Sequence, residues 1–248
     1  MSIEGEVFKS ANGRTTLRFV RQAKSYFLKA HRGVGWREVF KNLLQLRLPV
    51  VSARNEWRAI RRLKTLDIDT MHAVGYGCRG WNPARLRSFI VTEDLGHTVS
   101  LDRYCRDWRD AAPSPAEKRT LIRKVASIAR RLHENGVNHR DFYLCHLRLH
   151  PISDANACTD IEPRVYVMDL HRAQLRRHTP RRWKIKDLAG LYFSSMDIGL
   201  TQRDLLRFMR IYRGKPLAPI LDAEAAFWEN VRDRACRLYD TSHHKQKP

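Results

Sequence analysis

Apolar and polar residues alternate with a period of two through the first thirty positions. EVFK, TTLRFV and SYFLKAH, within Val7–Ala30, therefore predict three strands. Turn residues interrupt them at Ala11-Asn12-Gly13 and Gln22-Ala23-Lys24. The period then changes. Over Arg32–Leu48, Trp36, Val39, Phe40, Leu43, Leu44 and Leu46 make an apolar side, while Arg37, Lys41 and Arg47 are basic. That pattern predicts an amphipathic helix, packed on the strands or lying on a membrane surface. Ser52–Leu66 predicts another, with Trp57, Ile60, Leu63 and Leu66 on one face and Glu56 bordering it near the start. Ala73–Gly77 and Ser88–Thr92 predict two more strands around a basic turn at Gly80–Arg87.

Helical spacing dominates after residue 96. Val99–Trp108 reads as a helix, Asp110–Pro115 as a loop, and Pro115–His133 as a long helix stopped by Asn135-Gly136. Val165–Met168 is a buried-strand run, preceded by a polar insertion at His150–Pro163. Asp187–Phe193, Gln202–Tyr212 and Ala223–Tyr239 read as helices, and Asp240–Pro248 as a polar tail. Strands gathered early and helices gathered late make this an α+β chain.

Composition narrows the class. A 248-residue chain with 43% hydrophobic residues can bury a core, which excludes wholesale disorder. Its net charge of +21 calls for an anionic partner: nucleic acid, a membrane surface, or a phosphorylated or acidic glycolipid. An acidic protein partner is also left open. Five cysteines, odd in number and without a CxxC pair, speak against a disulfide framework or zinc ribbon and for a reducing cytosol. Residues 1–16 lack the apolar core of a secretory signal, and no apolar run is long enough to span a bilayer.

The candidate chemistry centres on His139–Asp169. HRDFYLCHLRLH follows the long helix, and VYVMDLH ends a strand. HRD alone is a weak signal, since a capping aspartate at a helix end would look the same. The order of helix, HRD loop, strand and second aspartate is stronger. It matches the protein-kinase arrangement, in which the HRD aspartate takes the acceptor proton and a later aspartate binds Mg²⁺. Those positions are Asp141 and Asp169. The asparagine that kinases place five residues after the first aspartate is here His146, a softer metal ligand. Lys29 ends a strand where kinases keep a phosphate-binding lysine, and Glu56 follows at the place of its helix partner. A solvated edge lysine and a first-turn helix acid are the plainer alternatives. Gly13 is the one glycine in the first turn, which is equally an ordinary hairpin turn. Neither GxGxxG nor GxxxxGK[ST] occurs, so Rossmann and P-loop readings lose support.

HRDFYLCH, MDLHRAQ and KDLAGLYFSSMDIGLTQRDLLRFMRIY resemble the lipopolysaccharide core heptose(I) kinases (WaaP/RfaP family) of Gram-negative bacteria. The resemblance runs from about Val7 to Tyr212. It implies a two-lobed protein-kinase-like fold, with an N-terminal nucleotide-covering lobe at 1–95 and a C-terminal catalytic lobe at 96–248. It implies ATP and Mg²⁺, with Asp141, Lys29 and Glu56 catalytic, and with Asp169 and His146 on the metal. Lys29, Gly13 and the hinge residues Glu93 and Leu95 would then hold nucleotide. Asp187 would brace the catalytic loop, and His139 would contact backbone near Asp169. The acceptor would be the first heptose on lipid A, met at the cytoplasmic face of the inner membrane by a peripheral enzyme. The basic run Arg176–Lys184 lies in activation-segment position and suits anion binding. The weighed alternatives are another acceptor (the Kdo sugar or a protein hydroxyl), a degenerate kinase acting as a scaffold, and a nucleic-acid-binding protein. No nucleic-acid-binding motif is visible, and the basic residues are spread along the chain, so no nucleic-acid partner is expected.

Overall fold

The computed structural model describes residues 5–11, 14–33, 36, 52–82, 85–150 and 163–244. Gly13, nearly all of the Arg32–Leu48 helix and the body of the His150–Pro163 insertion lie outside the described residues. The chain divides into two compact units. One comprises residues 1–65, 70–96 and 169–172; the other comprises 66–69, 97–168 and 173–248.

The first unit is built on a five-stranded antiparallel sheet in the order β1-β2-β3-β5-β4. The alternating segments become β1 (Glu6–Ala11), β2 (Arg14–Arg21) and β3 (Lys24–Arg32), with β4 (Ala73–Arg79) and β5 (Arg87–Glu93) beyond them. The register sets Thr16 opposite Lys29 and Arg14 opposite His31. Directly opposed residues share a face, and so do residues two apart. Arg14, Thr16, Lys29 and His31 therefore line one side of the sheet. Helix α1 (Arg54–Thr65) buries Glu56, Ala59, Ile60 and Leu63. Trp57, expected in the apolar stripe, is half-buried and stacks on Tyr76 with ring centroids 5.8 Å apart.

Gln22 and Ala23 join β2 to β3 with φ of 51° and 59°. This two-residue turn needs a left-handed backbone at both positions, which normally selects Asn-Gly. Each ordinary residue held there is strained. Replacing Gln22-Ala23 with Asn-Gly is expected to stabilise the protein by about 1 kcal/mol and raise Tm by about 2–4 °C. A thermal melt of the double variant checks this.

The second unit is mainly helical. After β6 (Val99–Ser100), a short helix α2 covers Leu101–Tyr104; the long helix α3 is Pro115–Glu134. Ser114 caps α3 by accepting from the Glu117 N–H at 3.2 Å. Helices α4 (Arg181–Phe193), α5 (Gln202–Arg213), α6 (Leu217–Ala223) and α7 (Ala225–His244) follow. The strands β7 (Val137–Asn138), β8 (Leu147–Leu149), β9 (Val165–Val167) and β10 (Gln174–Leu175) form small ladders that frame the HRD loop. The core of this unit includes Leu132, Phe142, Leu147, Val167 and Leu188, all nearly inaccessible. An apolar cavity of about 390 Å³ is lined by Leu121, Val125, Leu188, Phe208 and Trp228 with their neighbours.

Two expected boundaries moved. The expected Val99–Trp108 helix starts only at Leu101, because Val99 and Ser100 pair with Leu149 and Arg148 as a strand, and it ends at Tyr104. The backbone then tightens, with Arg106 and Trp108 donating to the carbonyls three residues back. Leu101, Cys105 and Trp108 are nevertheless buried, which accounts for the helical spacing. The Asp187 helix begins six residues earlier than expected, at Arg181 after Pro180. The basic run thus enters a helix instead of remaining a loop.

Candidate active site

In the sheet unit, the Lys29 ammonium lies 2.6 Å from the Glu56 carboxylate, and Glu56 is fully buried. Burial alone would lower the lysine pKa. Attraction from Glu56, then Asp169, and the hydrogen bond to Glu56 outweigh it, so the pKa is raised. The lysine's contribution is therefore complete at neutral pH and is lost as pH climbs through the raised lysine pKa.

Asp169 has φ of 57°, a left-handed backbone. Aspartate tolerates it better than most residues, and such strain collects at functional sites. Its Oδ1 is hydrogen-bonded to Nδ1 of His171. The His171 carbonyl in turn accepts from Nδ2 of Asn55 at 2.8 Å, tying the 169–172 turn to α1. One carboxylate at such a turn suits Mg²⁺, which takes oxygen donors and needs few from protein. Among the described residues, no group of three or more His, Cys, Asp or Glu side chains forms a denser metal cluster.

Sequence reasoning missed Arg14. Burial lowers its pKa, while the fields of Asp169 and Glu56 act in the opposite direction. The signal was available: Arg14 is two positions before Thr16, which pairs with Lys29, and so shares the lysine's face. His31 was missed as well. It is buried, with no hydrogen-bond acceptor or donor for Nδ1 among the described residues. Burial first, then Arg14, lowers its pKa from 6.5 to about 4. Below 6.5 the unfolded chain takes a proton at this position that the folded chain refuses. Stability from this site is complete above 6.5 and falls as pH drops towards about 4, by up to about 3 kcal/mol. His31→Gln is expected to flatten that part of the pH–Tm profile, and melts at about pH 7 and about pH 5 measure it.

Of the residues expected to hold adenine, Glu93 ends β5 and Leu95 lies two positions beyond it. The Glu93 N–H donates to the His72 carbonyl at 2.8 Å, and its carboxylate pairs with His72 Nδ1 at 2.9 Å. Asp94 is anchored by Ser25 and Arg18, and its Oδ1 accepts the Gly96 N–H at 3.0 Å. Between these fixed neighbours, the Leu95 backbone makes no hydrogen bond with any described residue.

In the helical unit, Asp187 organises the HRD loop. Its carboxylate accepts the backbone N–H of His139 at 2.6 Å and of Arg140 at 2.8 Å. His133 reaches the same carboxylate through Nε2 and hydrogen-bonds the Tyr212 hydroxyl through Nδ1 at 2.8 Å. The side chain of His139 donates to the Met168 carbonyl at 2.8 Å. His146 donates Nδ1–H to the Asp141 carbonyl at 2.7 Å, and its ring stacks on His139 with centroids 5.9 Å apart. The loop is thus held from both ends while the half-buried Asp141 carries its carboxylate. Gly136, at φ 74°, lets the chain pass against the Arg176 carbonyl too closely for a side chain.

A sheet with a buried lysine–glutamate pair and a helical unit with an acid-braced HRD loop define a protein-kinase-like protein. The structure of a Rio2 kinase from Chaetomium thermophilum shares the fold, with a TM-score of 0.53 at 15% identity over 98% of this chain and 72% of that one. The chain belongs to the lipopolysaccharide kinase (Kdo/WaaP) family, whose model matches residues 1–212. It is 50% identical over 238 residues to a lipopolysaccharide core heptose(I) kinase WaaP of Escherichia coli, covering 96% of this chain and 88% of the relative. A solved WaaP in complex with acyl carrier protein superimposes with a TM-score of 0.80 at 45% identity, covering 96% of this chain and 90% of that one.

Proposed function

We propose that this protein transfers the γ-phosphoryl group of ATP to the first heptose of the lipopolysaccharide inner core on lipid A. The observation that carries the reading is the Asp187-braced HRD loop in a chain half identical to a heptose(I) kinase. Asp141 orients the acceptor hydroxyl and takes its proton as that oxygen attacks the γ-phosphorus and the bond to ADP breaks. Lys29, held extended by Glu56, neutralises phosphate oxygens, and Arg14 adds a second cation on the same sheet face. Leu95 offers its free backbone groups to adenine. Asp169 is the residue that holds Mg²⁺, which when bound offsets the charge of the phosphates. His146 keeps the loop backbone of Asp141 in place.

The +21 charge supports two further parts of the reading. A basic surface is attracted to anionic lipid, about 1 kcal/mol per Lys or Arg near the surface, so the enzyme works peripherally on the cytoplasmic face of the inner membrane. No described helix is long and apolar enough to cross a membrane. An acidic protein partner also suits this charge, and acyl carrier protein is the partner of the solved relative.

The test uses purified protein, γ-labelled ATP, Mg²⁺ and two glycolipids, one ending in Kdo and one carrying the first heptose. Label is expected in the heptose-bearing glycolipid alone. Equal labelling of both would move the acceptor to the Kdo sugar. Label in neither, combined with salt-sensitive retention of DNA or RNA, would favour a nucleic-acid-binding protein.

A further inference from the structure

Within the helical unit, four cations surround one indole. The guanidinium carbons of Arg140, Arg176 and Arg182 lie 5.3, 5.7 and 5.5 Å from the Trp183 ring centroid, and Nζ of Lys186 lies at 5.5 Å. A ring face attracts each of them, but the four repel one another. Three local features sharpen the conflict. Arg181 and Arg182 open α4, where the helix dipole favours anions, and no acidic residue stands in that first turn. Pro180 provides no side-chain cap, so among the described residues, of the helix's first three N–H groups only that of Trp183 is taken up, by the Pro180 carbonyl at 2.9 Å. Among the described residues no carboxylate pairs with Arg176 or Arg182, and the nearby Asp187 has both oxygens on loop N–H groups.

The cluster is also positioned. Asn138 Oδ1 holds Nη1 of Arg176 at 2.6 Å, and Arg140 has φ of 74°, with its N–H fixed by Asp187. Arg140 directly precedes Asp141 in the chain. Guanidinium forks match carboxylates and phosphates through paired hydrogen bonds.

We propose that Arg140, Arg176, Arg182 and Lys186, gathered on Trp183, bind a carboxylate or phosphate that the acceptor glycolipid carries beside its reacting hydroxyl. The assignment rests on the glycolipid-kinase reading and deepens it by giving the acceptor an anion subsite. The cations fix the acceptor's register, so that one hydroxyl among several is offered to Asp141.

The test has a binding arm that does not depend on turnover. Tryptophan fluorescence of the full-length protein is titrated with free Kdo, which carries a carboxylate, with glycerol phosphate, and with the neutral methyl ester of Kdo. The proposal expects saturable quenching by at least one of the two anions and none by the ester. Kdo or glycerol phosphate as the better ligand identifies the acceptor's carboxylate or its phosphate as the bound group. Trp183→Phe should remove the signal, and Arg176→Ala and Arg182→Ala should each weaken binding roughly tenfold. In the kinase assay the same two arginine variants should raise the KM for glycolipid roughly tenfold, with a smaller effect on kcat. Unaltered melting curves show that they fold. Anion binding without any transfer to glycolipid would keep the subsite and remove the kinase reading. Anion affinity and glycolipid KM both within twofold of the parent in folded variants would overturn the proposal.

Discussion

Asp141→Ala is expected to lower phosphoryl transfer to glycolipid by about 10²–10⁴-fold, the usual contribution of a general base. The HRD loop's backbone is anchored by other groups. Asp187 holds the N–H groups of His139 and Arg140, His139 holds the Met168 carbonyl, and His146 binds the backbone oxygen of Asp141. The substitution therefore removes the proton acceptor while these backbone anchors remain. ATP affinity, measured by nucleotide-induced thermal shift, should stay within a few-fold of the parent. A variant that retains full transfer would take Asp141 out of the mechanism.

Asp169→Ala is expected to fail at a different step. Asp169 belongs to the sheet unit with Lys29 and Glu56, and its field helps raise the lysine pKa. Removing it should weaken Mg²⁺-dependent ATP binding and cut turnover by roughly 10³-fold, comparable to losing a main charge-stabilising group. The diagnostic is the metal response. The parent should gain thermal stability from ATP with Mg²⁺ beyond that from ATP alone, and the variant should lose most of that difference. An unchanged metal response would count against Asp169 as the ligand. The two variants thus separate proton transfer from metal binding.

Much of this was legible in the residues because it is local. Period-two alternation found the first three strands within two residues of their ends, and helical spacing found Pro115–Glu134. The Lys29–Glu56 pair followed from element order, although β3 runs three residues past Lys29, and a fold is needed to bring a strand lysine and a first-turn glutamate together. Other features depended on pairing that spacing does not encode. Arg14 acquires its place through the β2–β3 register, and His31 through burial. The early start of α4 was hidden because Arg181 and Arg182 are poor residues for a helix N-terminus, and a charge run there reads as loop. That violation of local preference is also what singles out the Trp183 cluster. The position of His146 left two readings, a metal donor or a hydrogen-bond partner of Asp141, and Nδ1 does bond the Asp141 backbone carbonyl.

The proposed reaction places phosphate on the first heptose with Asp141 as base. Tandem mass spectrometry of the glycolipid after incubation with ATP and Mg²⁺ tests it most directly. One added phosphate on the fragment containing the first heptose, absent with Asp141→Ala, is the expected result. A phosphate confined to the Kdo fragment, or the same product from both proteins, would contradict it.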